Sequence, residues 1–403
     1  MKPISVVALA LAVTTLGGMP MWLMGAYSPQ IVETFSLQSS TYGAVLGAFF
    51  LFSAITATPV GRYVNTLHWL TGVAWTGLFS AVGLVFLAFF ANAIPLLLLG
   101  LFIAAWGNSF SQTSANKGLA EFVPPKLQGR AFGFKQAALP LSTFIVGLSV
   151  PLFSSEDDWR WAFVAIASVS GLVAVVALVL RGVTPPGSRS RSGLFHWPTR
   201  RSSKTPKPAK LTAPKHLVLL ATGSGIATGA TMSFAGFLVL FAVSEGFTPE
   251  TAALVLALGS AAGIAARISF GFYADRAHTG HFRFVQILML GGAVGFGLLA
   301  FSSGIAVLIV GTLLGFAMGW AWNGVFHFAV IRSSPHQSAF FTGVIQAAMM
   351  AGATVGPPVF GLISETSYTA SWFVLSVAMV ASVILVSRGA KLMGQPDGQS
   401  VVN

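Results

Sequence analysis

The chain has 403 residues, 55% hydrophobic and 8% charged, with a formal net charge of +12 and a mean hydropathy of +0.79. A soluble globule carries about 25% charged residues, so this composition excludes one and predicts an all-α integral membrane protein. There are no cysteines, which removes a disulfide framework and thiolate metal sites from consideration.

The apolar residues fall into twelve runs, each long enough to cross about 30 Å of hydrocarbon as a helix. The first six cover roughly 4–32, 41–61, 69–91, 95–116, 131–153 and 160–180. The other six cover roughly 216–243, 250–272, 284–302, 304–328, 339–363 and 369–388. The opening run has about 29 uncharged residues and leads directly into a second span, so it reads as a retained helix and not as a signal peptide. The 44 glycines, spread through these runs, suit close helix packing in lipid.

Charge is sorted by side. With the N-terminus in the cytoplasm, 21 of the 22 Lys and Arg lie in cytoplasmic loops or at cytoplasmic helix ends, and only Arg160 falls outside. Glu33, Glu156, Asp157, Asp158, Glu245, Glu250 and Glu365 fall outside with it. This positive-inside pattern places both termini in the cytoplasm, and it accounts for the net charge without a nucleic-acid partner. The lack of a cleavable leader or a long extracellular domain fits a bacterial inner membrane.

Residues 181–215 interrupt the pattern with Arg181, Arg189, Arg191, Arg200, Arg201, Lys204, Lys207, Lys210 and Lys215 among Pro, Ser and Thr. Such a segment has too little apolar content to fold alone. It reads as a basic cytoplasmic tether, with a lipid-binding polybasic patch as the functional alternative. It separates an N-terminal bundle over 1–180 from a C-terminal bundle over 216–390, followed by a tail at 391–403.

The halves repeat at an offset of 210 residues. The run from Gly61 to His68 aligns with that from Gly271 to His278, and Gly133, Gln136, Ala137 and Ala138 align with Gly343, Gln346, Ala347 and Ala348. A parallel repeat of six helices relates its halves by an axis along the membrane normal. Gly271, Asp275 and Arg276 form a GxxxDR turn between the second and third helices of the second half, and Asp158 to Phe163 resemble the usual start of a sixth helix. In these features the chain resembles the major facilitator superfamily. The first half keeps Gly61 but has Asn65 and Thr66 in place of the acidic and basic residues. One of the two charge latches that the resemblance implies for the cytoplasmic gate is therefore missing.

Ionisable and strongly polar side chains within a span are costly unless they meet a partner or a wet cavity, so they form the functional shortlist. Arg267 heads it, lying eight residues before Asp275. Monocarboxylate porters and oxalate/formate antiporters, which this motif and the Tyr27, Ser28, Pro29, Gln30 run resemble, carry an arginine here to engage a carboxylate. Neutralising Asp275 or reaching the headgroups are the structural alternatives. Asn108, Gln112 and Asn116 form a stripe on the fourth helix, and Trp320, Trp322, Asn323 and His327 lie on its counterpart, the tenth. The resemblance makes helices 1, 4, 7 and 10 line a central cavity; interhelical hydrogen bonding is the alternative. Trp22 and Tyr27 on the first helix can line it too, or anchor at the interface. Lys135 and Gln136 lie one turn into the fifth helix, where Lys135 reads as a positive-inside anchor before it reads as a second anion contact.

No carboxylate lies in mid-span, so a coupled proton would travel with an acid substrate or involve His327. There is no Walker loop, no metal-ligand spacing and no catalytic set, hence no enzyme, cofactor or metal site is expected. The sequence thus predicts a monomeric secondary transporter of a small organic anion, a carboxylate, in the lipid bilayer. An exporter of drugs or hydrophobic metabolites is the alternative.

Overall fold

A computed structural model describes residues 3–153, 158–183, 213–276, 280–301, 304–334 and 337–394. Most of the basic tether, together with His278, Glu156 and Asp157, lies outside the described residues. Among the described residues, twelve helices are long and apolar enough to cross a membrane. The fold is two six-helix bundles related by a pseudo-two-fold axis along the membrane normal.

In the first bundle the spans are α1 (Pro3–Ala26), α2 (Ser39–Thr66), α3 (Trp69–Phe89), α4 (Ile94–Phe122), α5 and α6 (Trp159–Val183). In the second they are α7 (Lys215–Ser244), α8 (Pro249–Arg276), α9 (His281–Ala300), α10, α11 (Ser338–Ser364) and α12 (Tyr368–Gly394). Two spans read as continuous in the sequence are broken. Helix α5 comprises Pro125–Gln136 and Ala138–Ser149; α10 comprises Ile305–Leu314, a π turn at Gly315–Gly319, and Trp322–Ser333. The first run also divides, with a short helix Ser28–Thr34 following Tyr27. Pro29 sits in its first turn, where a missing N–H costs nothing.

Each bundle has an even number of spans, so both ends of each lie on one face, here the termini side. On the far side the bundles meet closely. A Cβ added at Gly43 or Gly47 of α2 would run into the α11 backbone at Pro357 or Thr354, and one at Gly361 into Ser39. Between α5 and α8, a Cβ at Gly147 would lie 2.8 Å from the Ala253 carbonyl oxygen, and Thr143 and Ser260 share a hydroxyl hydrogen bond of 2.7 Å. The Tyr42 hydroxyl on α2 donates to Gly236 O of α7 at 3.1 Å. On the termini side, by contrast, Gly133 of α5, Gly324 of α10 and Gly343 of α11 face open space. The polar residues Asn116 and Gln346 are exposed there.

Candidate functional site

Each bundle contributes one cation to the candidate site, Lys135 from the first and Arg267 from the second. Neither belongs to the internal repeat, since Arg267 aligns with Ala57 and Lys135 with Ile345 at the common offset. Arg267, on α8, donates from Nη1 to Gln136 O at 2.6 Å and from Nη2 to Trp320 O at 3.0 Å. Its Cζ lies 5.5 Å from the Trp320 ring centroid, a cation–π distance. Gln136 is on α5, so the guanidinium is turned to the bundle interface and not back along α8 toward headgroups.

Lys135 is 4% exposed. Its Nζ donates to Gln112 Oε1 at 2.7 Å and Asn116 Oδ1 at 2.9 Å, both on α4. An anchor would snorkel to the interface; this lysine is folded inward and held by amides. Among the described residues, neither Lys135 nor Arg267 has a carboxylate within ion-pair distance. His327 completes the group. Its Nδ1 donates to Asn323 O at 3.0 Å, its ring hydrogen-bonds the Gln346 side chain, and it lies within the field of Lys135. Gln136 and Gln346 are repeat equivalents, so the pseudo-symmetry brings the same residue type to the site from both halves.

The structure thus gathers Arg267, Gln112, Asn116 and His327, together with Lys135, whose role the sequence had weighted toward anchoring. Asn323 enters through its carbonyl. Trp22 packs edge-on against Trp320, with centroids 5.1 Å apart. The indole nitrogens of Trp22, Trp320 and Trp322 are buried without a hydrogen-bond partner among the described residues. Trp322 itself packs on Phe326.

Two residues lie apart from the cluster. Asn108 donates from Nδ2 to Ser53 Oγ of α2 at 3.1 Å, beside a Thr56 and Ser109 hydroxyl pair. Tyr27 is fully buried within the first bundle, its hydroxyl 3.0 Å from Ser149 Oγ.

Gly271, Asp275 and Arg276 close α8, and their side chains lie outside the described residues. At the repeat position, a Cβ on Gly61 would meet Thr113 at an ordinary 3.9 Å. Beside Asn65 and Thr66 the structure shows a contact that sequence reasoning did not foresee. Lys117 of α4 donates to the carbonyls of Val64, Asn65 and Leu67 at 3.0, 3.2 and 2.6 Å. A cation at a helix C-terminus stabilises the unpaired carbonyls there.

The sequence pattern of the Major Facilitator Superfamily matches residues 9–339. The chain belongs to the Major Facilitator Superfamily. It is therefore a membrane transporter and not an enzyme. Among curated relatives, it is 23% identical over 393 residues to monocarboxylate transporter 12 of Rattus norvegicus, covering 88% of this chain and 78% of that one. The match to the Xenopus laevis protein of the same name, 22% identical, spans only 56% of this chain and 52% of that one. An uncharacterised MFS-type transporter, YceJ of Bacillus subtilis, is 24% identical over 91% of this chain and 93% of its own. Among solved structures, a bacterial homologue of the human lysosomal transporter Spinster superposes with a TM-score of 0.72 at 15% identity, covering 98% of this chain and 97% of that one. The transporter FucP gives 0.67 at 18%, covering 98% and 100%. At these identities the structural likenesses bear on the fold alone.

Proposed function

We propose that this transporter carries a small organic anion, a carboxylate, by alternating access, with Arg267 as the seat of the negative group. The carrying observation is that Arg267, held on a carbonyl of each bundle, and the buried Lys135 beside Gln136 have no carboxylate within ion-pair distance among the described residues. A buried cation without an anion is costly in a low-dielectric interior, and a carboxylate entering from the termini side supplies the missing charge. Guanidinium presents paired donors that match a carboxylate. Lys135 gives the first bundle its own attraction for the same solute. The monocarboxylate transporter relatives support the same substrate class. An exporter of lipophilic cations would need a buried acid where this site has cations.

In this reading the termini are cytoplasmic in a bacterial inner membrane. The protein works as a monomer, and any coupled proton accompanies the acid substrate. Flux in proteoliposomes tests it. Wild-type protein should take up small carboxylates, faster with an inward proton gradient, and Arg267→Ala should reduce uptake at least tenfold while remaining folded. Carboxylate uptake by Arg267→Ala equal to wild type would remove Arg267 from the site.

A further inference from the structure

The carbonyl that Arg267 holds on α5 is free for a reason written in the sequence. In an α-helix the carbonyl of residue i accepts from the N–H of residue i+4, and four residues after Gln136 stands Pro140, which has no N–H. The helix stops at Gln136 and resumes at Ala138, where Leu141 N donates to Ala137 O at 3.0 Å. Gln136 O is left to Arg267 Nη1. The second half has no such break. Pro140 aligns with Met350 at the repeat offset, and α11 runs unbroken through that position. The other acceptor, Trp320 O, lies between the π turn and the helix that begins at Trp322. Arg267 is thus seated on one backbone carbonyl from each bundle, both at helix breaks.

We propose that the Gln136 carbonyl is a built-in competitor for the substrate anion. In the empty carrier it occupies Arg267 Nη1 and ties the two bundles; a carboxylate that takes Nη1 releases the tie and frees the bundles to rock. The exchange favours the substrate because a carboxylate brings a full opposite charge and can accept two parallel bonds from the guanidinium, where the carbonyl brings only a dipole. Pro140 is then a positioning residue, acting through the Gln136 carbonyl. The inference rests on Arg267 being the anion seat.

The test uses Pro140→Ala, which restores an N–H to residue 140 and draws the Gln136 carbonyl back into its helix. Since the chain has no cysteine, Gly133→Cys and Gly343→Cys, at open positions on opposite bundles, can carry spin labels. In the empty protein the label distance should be narrowly distributed, and in Pro140→Ala it should broaden. Formate, a carboxylate small enough to need little besides Arg267, should broaden the parent distribution, and it should bind Pro140→Ala roughly fivefold more tightly. Pro140→Ser restores the same N–H and replaces Pro140→Ala if that variant does not fold. A narrow distance and an unchanged or weaker formate affinity in a folded variant would overturn the competitor. If formate leaves the wild type unaffected, the anion seat itself fails and the competitor with it. Broadening by Pro140→Ala in that case would show a tie between bundles that no anion controls.

Discussion

Lys135 on α5 is bound to Gln112 on α4 through an Nζ to Oε1 hydrogen bond of 2.7 Å. The partner is a neutral amide, so the lysine is oriented without being neutralised. That is how a side chain awaiting an anion would be held, and it differs from a structural ion pair.

The first prediction follows from that difference. Lys135→Met keeps the stem and removes the charge. A buried cation without a counter-ion carries a desolvation cost that the methionine does not, and the exposed Asn116 can turn to water. Uptake of carboxylates should fall at least tenfold while the melting temperature holds or rises, read by thermal shift and flux on the same preparation. Melting well below wild type with transport retained would assign Lys135 a structural role.

On the far side, Ser40 N donates to Glu365 Oε1 at 3.1 Å, so the carboxylate caps the N-terminus of α2 from across the bundle interface. Hydrogen bonds from the Ser40 hydroxyl and then its backbone N–H hold Glu365 below the usual carboxylate range. The sign follows directly. A depressed pKa means that the cap favours the closed far side above the ordinary carboxylate range, and that this preference is lost as far-side pH falls through the lowered value. Acid on that side, or Glu365→Ala at neutral pH, should increase far-side opening, measured by label accessibility near Ser39. Accessibility that ignores both would remove the cap from the gate.

Closure itself depends on small residues. At Gly47 an added Cβ would collide with the Thr354 carbonyl, and helix backbones approach this closely in membranes only through such residues. Gly47→Val should cost about 1–3 kcal/mol in the closed-far-side state. Turnover should stop and the far side should label readily, without loss of the folded bundle. Normal turnover would show that α2 and α11 do not need this approach.

Twelve spans and two bundles were legible because hydropathy and the 210-residue offset are written locally. The cluster was only partly legible. Asn108, Gln112 and Asn116 share a spacing of four, but eight residues turn a helix about 80° past two full turns. Gln112 and Asn116 therefore reach Lys135 while Asn108 reaches Ser53. Lys135 read as an anchor because a lysine near a helix end usually snorkels; the amides that fold it inward come from another helix. The breaks beside Gln136 and Trp320 were hidden in runs of uniform hydropathy, although Pro140 was the available signal for the first. Lys117 had no signal, since its acceptors are carbonyls.

The central claim is that the solute is held by its negative charge. Counterflow in proteoliposomes with a series of small carboxylic acids and their methyl esters tests this most directly, because each pair differs little beyond the charge. The wild-type protein should exchange at least one acid and not its ester, and Arg267→Ala should lose that distinction. Exchange of acid and ester at equal rates by the wild type would contradict the account.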